Sequence, residues 1–113
     1  NLAECIARTK QAITESGLIA PIVGHVGDGN FHLVILIDPN EPEELRGANQ
    51  LAESINQLAL ELGGTVTGEH GIGVGKKHYM HAEHGAGYTL MATIKRAIDP
   101  NNIMNPGKLV SLD

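Results

Sequence analysis

Two short glycine-rich runs carry most of the side chains that could do chemistry in this sequence. The first is GHVGDGNFH, residues 24–32, and the second is GEHGIGVGKKHYMH, residues 68–81. They hold imidazoles and a carboxylate, which are the usual protein ligands of zinc and the usual general acids and bases. These residues therefore favour metal binding and proton transfer as functions.

The first run predicts a β-hairpin that brings two histidines together. An Asp-Gly pair favours the positive φ angles of a two-residue turn, so Asp28-Gly29 would place His25 directly opposite His32. Opposed side chains on one face have Cβ atoms about 4.5–5.5 Å apart, which allows both imidazoles to reach one metal ion. The alternative is that both are hydrogen-bonded polar residues at the edge of a sheet.

The second run offers a third ligand and a base. Glu69 would complete a site of two histidines and one carboxylate, which leaves a coordination position for substrate or water. If the backbone is extended there, the next side chain, His70, points away from Glu69 and is placed to act as an unliganded general base. The alternative is a glycine turn with a solvated Glu-His pair.

Other interpretations of the same residues have less support. The run that ends in Gly75-Lys76 is not a phosphate-binding P-loop, because His stands at position 70 where that motif has Gly and Lys77 follows where it has Ser or Thr. Three further histidines recur at three-residue spacing, which could mimic a metal cluster but is more typical of one exposed helical face: His78, His81 and His84.

The elements that would position these runs form an α+β pattern. Apolar periodicity predicts helices over residues 1–16, 42–62 and 87–98, and apolar runs predict strands over 18–26, 31–37 and 65–67. We expect an antiparallel sheet with helices on one face, resembling a ferredoxin-like unit without its first strand, followed by short C-terminal helices. The tail from Asp99 to Lys108 is rich in Pro, Gly and Asn, and it should be irregular.

Composition restricts the class of protein. The chain has 113 residues, 8 Lys and Arg against 13 Asp and Glu, and a single cysteine, Cys5. This predicts one small globular domain without a disulfide; no apolar stretch approaches the roughly 18 residues that span a bilayer. The acidic balance and the absence of Trp argue against nucleic-acid binding. Because Asn1 is neither a start methionine nor part of a signal peptide, residues 1–113 are expected to be a fragment.

Taken together, the two runs and the terminal DPNNIMNPGK, residues 99–108, resemble the C-terminal part of the FAD-linked oxidases related to vanillyl-alcohol oxidase. The resemblance implies a divalent metal, taken as zinc, on His25, His32 and Glu69, and it implies that His70 is the catalytic base. It also implies that Asn105 lies near the flavin. The fragment would then be the C-terminal part of the substrate domain, with the FAD-binding domain absent, and alone it should hold neither flavin nor activity.

The function implied by the resemblance is oxidation of a D-2-hydroxy acid to a 2-oxo acid, with hydride transfer to FAD. The D-2-hydroxyglutarate dehydrogenases of this family carry Asn at the position of Val34, so the D-lactate or glycolate class is favoured. Expected partners are the substrate, the FAD-binding domain of the parent chain, and an electron acceptor (a cytochrome, a quinone or a carrier protein), in a monomer or homodimer. The expected location is cytoplasmic, including the inner face of a membrane. The rival hypothesis is a non-catalytic ferredoxin-like binding or regulatory module with structural histidines.

Overall fold

The computed structural model describes residues 1–112, which divide into two compact units. The first unit comprises Asn1–Gly68 and the second begins at Glu69. The expectation of a single fragment that belongs to a substrate domain stays a prediction.

Two antiparallel helices form most of the first unit. Helix α1 spans Leu2–Ser16 and helix α2 spans Pro42–Glu61, so both long helices lie where apolar periodicity places them. Their facing sides are buried, and the start of α1 meets the end of α2, because Asn1 Nδ2 donates to the Leu62 carbonyl oxygen at 2.7 Å. Apolar burial along this seam is the main stabilising contact of the unit.

The sheet is much shorter than the apolar runs suggest. Strand β1 (Ile22–Val23) pairs antiparallel with strand β2 (His32–Leu33), and an isolated bridge joins Ile19 to Leu36. The strand predicted over 65–67 is wrong, because that segment pairs with no strand in the described part of the chain. Val66 is instead buried in the core at 3% exposure, which explains its apolar character without a strand.

The second unit contains the remaining helices. A single 3₁₀ turn at Lys77–Tyr79 leads into the short helix α3 (Met80–His84), and helix α4 follows at Ala86–Ile98. Met80 is 2% exposed and is the largest fully buried side chain among the described residues. The segment after α4 is irregular, as its composition predicts.

The α+β class is confirmed by four helices and one two-stranded antiparallel sheet in the described residues. The hairpin followed by α2 is the part of the ferredoxin-like pattern that is present. Throughout residues 1–112, each helix is too short or too polar to cross a bilayer.

Candidate functional site

The two histidines of the first run lie at opposite ends of one tight loop. The loop covers residues 24–31 between β1 and β2, and a 3₁₀ turn at Val26–Asp28 forms its tip. The carbonyl oxygen of His25 accepts the backbone N–H groups of Asp28 at 2.9 Å and Asn30 at 3.2 Å. The backbone of His25 is therefore fixed by the loop and not by the sheet.

The predicted opposition of His25 and His32 is wrong by two residues. His32 pairs with Val23, and His25 lies beyond the end of β1. A two-residue turn of the expected type needs positive φ at both central residues, but only Gly29 has it, at 77°, whereas Asp28 belongs to the 3₁₀ turn.

The two ends of this loop lie close together, because the backbone at Gly24 approaches that of Asn30 and Phe31. A Cβ atom built on Gly24 would lie 2.6 Å from the Phe31 Cα and 2.7 Å from the Asn30 carbonyl oxygen, and the φ of Gly24 is 148°. Both the space and the backbone angle therefore require glycine there. The other end of the first unit lies at the same loop, because a Cβ on Gly68 would come within 3.1 Å of Asn30 Oδ1.

Glu69 and His70 form a turn at the start of the second unit. The expectation that an extended backbone would separate their side chains is wrong, because both residues lie in a turn and His70 Nε2 is 3.7 Å from Glu69 Oε1. Both side chains are at least half exposed, with 76% of His70 accessible. A solvent molecule or a small substrate can therefore reach the imidazole.

The three histidines that follow do not form a cluster. The ring of His78 lies 3.9 Å from that of Tyr79, and the ring of His81 meets Tyr88 edge-on at 6.0 Å. His84 Nε2 lies 3.7 Å from Glu83 Oε1. All three residues are exposed, but His78 lies in the 3₁₀ turn, whereas His81 and His84 lie on α3.

Asn105 lies on an exposed turn after α4. Its φ is 47°, a left-handed conformation that Asn tolerates better than most residues. Its carbonyl oxygen accepts the Lys108 N–H at 3.3 Å. Within residues 1–112 its side-chain amide makes no hydrogen bond, so both the donor and the acceptor of that amide are available to a ligand.

A buried carboxylate beside this turn is the residue that sequence reasoning missed. Asp99 is 4% exposed, and it accepts the N–H groups of Ile103 at 2.9 Å and Met104 at 2.8 Å. The Lys95 ammonium donates a side-chain hydrogen bond to Asp99 and thereby holds the pKa of that carboxyl below its usual value. The two N–H groups act in the same direction, while burial opposes them. The spacing of Lys95 and Asp99, four residues apart across a helix end, is the signal that was available.

Nearly the whole chain is similar to proteins of known family. A family model described as FAD linked oxidases, C-terminal domain, matches residues 1–109. The mitochondrial D-lactate dehydrogenase (cytochrome) of Arabidopsis thaliana is 45% identical over 111 residues, which are 97% of this chain and 20% of that protein. D-lactate dehydrogenase (cytochrome) 1, mitochondrial, of Saccharomyces cerevisiae is 48% identical over 109 residues, 96% of this chain and 18% of that protein.

Similarity extends to bacterial proteins. The glycolate oxidase subunit GlcD of Escherichia coli is 42% identical over 106 residues, which are 93% of this chain and 21% of that subunit. The chain thus spans about a fifth of the length of the curated relatives that it matches.

Proposed function

The chain belongs to the FAD-linked oxidases, as the C-terminal domain of that family, and from this premise we propose that the protein carrying it oxidises a D-2-hydroxy acid to the 2-oxo acid. The observation that carries the proposal is the alignment of nearly the whole chain with D-lactate dehydrogenases and a glycolate oxidase subunit at 42–48% identity. Since the chain spans a fifth of those relatives, the FAD-binding domain belongs to the rest of the protein in this proposal.

We place a divalent metal, zinc, on His25, His32 and Glu69. Two imidazoles and one carboxylate are a ligand set of catalytic zinc sites. In support, His25 lies in the loop of residues 24–31 and His32 directly follows that loop. Asn30 of the same loop lies beside Gly68, and Glu69 is the next residue in the chain. When bound, such an ion supplies Lewis acidity toward the substrate hydroxyl and an anchor for its carboxylate.

His70 is the proposed base that takes the hydroxyl proton. Its ring is 76% exposed, so a substrate bound near Glu69 can reach a ring nitrogen. A base must keep a nitrogen lone pair for the proton, which excludes that nitrogen from binding the metal. Glu69 as ligand and His70 as base divide the two tasks between neighbouring residues.

Asn105 is the proposed contact to the flavin. An exposed amide with no hydrogen bond in the described residues fits the edge of a ring that carries both carbonyl oxygens and an N–H group. When bound, FAD supplies the two-electron acceptor that this oxidation requires. Electrons would then pass to a cytochrome, a quinone or a carrier protein.

The proposed substrate is a monocarboxylate of the D-lactate or glycolate class. Val34 follows the short strand that holds His32, and its side chain has no polar atom to meet a second carboxylate. A second carboxylate placed at this valine would gain neither a hydrogen bond nor a charge partner from its side chain. D-2-hydroxyglutarate should therefore be a poor substrate.

The test uses the full-length protein with separate readouts for metal and turnover. We expect His25→Ala and Glu69→Ala to lose both bound zinc and the oxidation of D-lactate or glycolate. His70→Ala should keep the zinc and lose about 10²–10⁴ in turnover, as is typical when a general base is removed. The matched control is His84→Ala, which removes another exposed histidine, on α3.

Three outcomes would contradict the proposal. Loss of zinc in His70→Ala would exchange the roles of Glu69 and His70. Full turnover in His70→Ala would place the base elsewhere. A full-length protein that oxidises neither D-lactate nor glycolate, with or without zinc, would favour the non-catalytic module.

A further inference from the structure

The segment after α4 stores backbone strain in a short stretch. Three residues other than glycine have positive φ in the described chain, and all three lie here: Asn102 at 50°, Asn105 at 47° and Leu109 at 62°. Residues in this region persist only where their surroundings hold them, and they concentrate at functional sites. The contacts that maintain these positive φ angles are therefore candidates for a functional role.

One side of the Asn105 turn is held by a buried ion pair. The two carboxylate oxygens of Asp99 accept the N–H groups of Ile103 and Met104, at 2.9 and 2.8 Å. The Lys95 ammonium donates both to Asp99 and to the Met104 carbonyl oxygen. Met104 is thus bound at its N–H and at its carbonyl, and it is the residue directly before Asn105.

The other side of the turn is held by two contacts from the start of the second unit. Lys77 Nζ donates to the Gly107 carbonyl oxygen at 3.3 Å, and the Leu109 N–H donates to the Gly73 carbonyl oxygen at 2.9 Å. Backbone on both sides of Asn105 is therefore hydrogen-bonded. The Asn105 amide itself makes no hydrogen bond in the described residues. The backbone around Asn105 is therefore held in place, while its side chain is available to a ligand.

Lys95 and Asp99 are also poorly placed to touch a ligand themselves. Their side chains are 19% and 4% exposed, and their charged atoms are occupied by each other and by the turn backbone. A simple cap for the end of α4 would not need a lysine that bridges the carboxylate and the Met104 carbonyl. The bridge fixes the orientation of the peptide that enters Asn105.

We propose that Lys95 and Asp99 are positioning residues that hold the backbone at Asn105, and so fix the point from which its amide reaches the polar edge of the flavin ring. This inference rests on the proposed function, because it takes the flavin as the ligand of Asn105. A backbone that is already held costs less ordering entropy on binding than a mobile one, so the pair acts on the flavin through the placement of Asn105.

The test uses the flavin-loaded full-length protein and four variants: Asp99→Asn, Lys95→Met, Asn105→Ala, and the double variant Asp99→Asn with Asn105→Ala. Lys10→Met is the matched control, because Lys10 is an exposed lysine on α1. Two quantities are measured: amide hydrogen exchange at Ile103 and Met104, and the visible absorption bands of the bound flavin. Asn keeps a single acceptor oxygen, so Asp99→Asn removes a charge-assisted hydrogen bond from one of the two amides, and exchange at that amide should accelerate by about ten- to a hundredfold.

The expected result is that Asp99→Asn and Lys95→Met shift the flavin bands in the same direction as Asn105→Ala. In the Asn105→Ala background, Asp99→Asn should add no further shift, because residues that act through one group are not additive. Lys10→Met should change neither quantity. Far-ultraviolet circular dichroism of each variant verifies that the fold is retained, and Lys95→Met serves if Asp99→Asn does not fold.

Three results would overturn the inference, each in a distinguishable way. Unchanged amide exchange in Asp99→Asn and Lys95→Met would show that the pair does not hold the turn. Faster exchange without a band shift, while Asn105→Ala does shift the bands, would show that holding the turn does not position the amide. Unshifted bands in Asn105→Ala would refute the proposed flavin contact itself.

Discussion

Gly24 is the position where a single methyl group should test the loop that carries the two histidines. In Gly24→Ala the new Cβ would lie 2.6 Å from the Phe31 Cα and 2.7 Å from the Asn30 carbonyl oxygen, both backbone atoms that cannot rotate away. The φ of 148° adds a second penalty for any residue with a side chain. Both penalties arise from the same Cβ atom, so the sum of the two costs sets the upper end of the expected destabilisation.

The expected destabilisation follows from these two terms. A residue held in a sparsely populated backbone region costs about 1–3 kcal/mol, and overpacking against a fixed structure costs about 1–3 kcal/mol. Gly24→Ala should therefore lower the free energy of unfolding by roughly 2–6 kcal/mol, out of the 5–15 kcal/mol typical of a domain. With a urea dependence of about 2 kcal/mol per molar, the middle of the usual range, the unfolding midpoint should fall by roughly 1–3 M.

The same loop provides graded controls. Gly27 has open space around it and no positive φ, so Gly27→Ala should change stability by less than about 0.5 kcal/mol. Gly29 has open space but a φ of 77°, so Gly29→Ala should cost about 1–2 kcal/mol from the backbone alone.

Urea unfolding followed by circular dichroism measures the global effect, and hydrogen exchange at the Asp28 and Asn30 amides measures opening of the loop alone. If Gly24→Ala matched Gly27→Ala in both measurements, the close approach of Gly24 to the backbone of residues 30 and 31 would be refuted.

Three further predictions concern stability. Thr9 is fully buried, and its hydroxyl has no hydrogen-bond partner in the described residues. Thr9→Val removes that unpaired polar group and should raise the free energy of unfolding by about 1 kcal/mol. A lower stability of Thr9→Val in urea unfolding would show that the hydroxyl has a partner. Met80 is 2% exposed, so Met80→Ala should cost about 2–5 kcal/mol, and an unchanged thermal midpoint would contradict its place in the core. The lowered pKa of Asp99 means that its ionised form stabilises the fold above the ordinary carboxyl pKa, and that this contribution is lost as the pH falls through the lowered value. In Asp99→Asn, the free energy of unfolding should therefore fall less steeply with decreasing pH below about pH 4. The same steepness in both proteins would contradict the assignment.

The three long helices could be predicted from the sequence because the information that forms them is local. Helical hydrogen bonds join residues four apart, so apolar spacing, Pro42 at the start of α2 and Gly17 after α1 are enough to place them within a residue or two. The family membership follows from short motifs in a fixed order, and the comparisons confirm it. The α+β class follows from the same patterns.

The register of the hairpin and the turn at Glu69 were decided by tertiary structure. The Asp28-Gly29 pair has the chemistry of a two-residue turn, but Gly24 allows a close approach to Phe31 that a wider loop needs. Strand pairing depends on contacts between residues distant in sequence, and a local motif cannot weigh them. The same limit explains why the strand predicted over 65–67 does not form. Val66 is buried in the core without pairing with a strand in the described residues.

The Asp99 site shows what the sequence alone determined and what it left to the fold. The composition of the terminal segment identified an irregular tail, and the resemblance selected Asn105 within it. The hydrogen bonds that hold Asn105 join Asp99 to Ile103 and Met104, Lys95 to Met104, and Lys77 to Gly107. Those contacts exist only when α4 ends where it does and the chain folds back onto residues 73–77. A buried charge is stable only with its partners in place, so its role is visible only once the tertiary structure has assembled them.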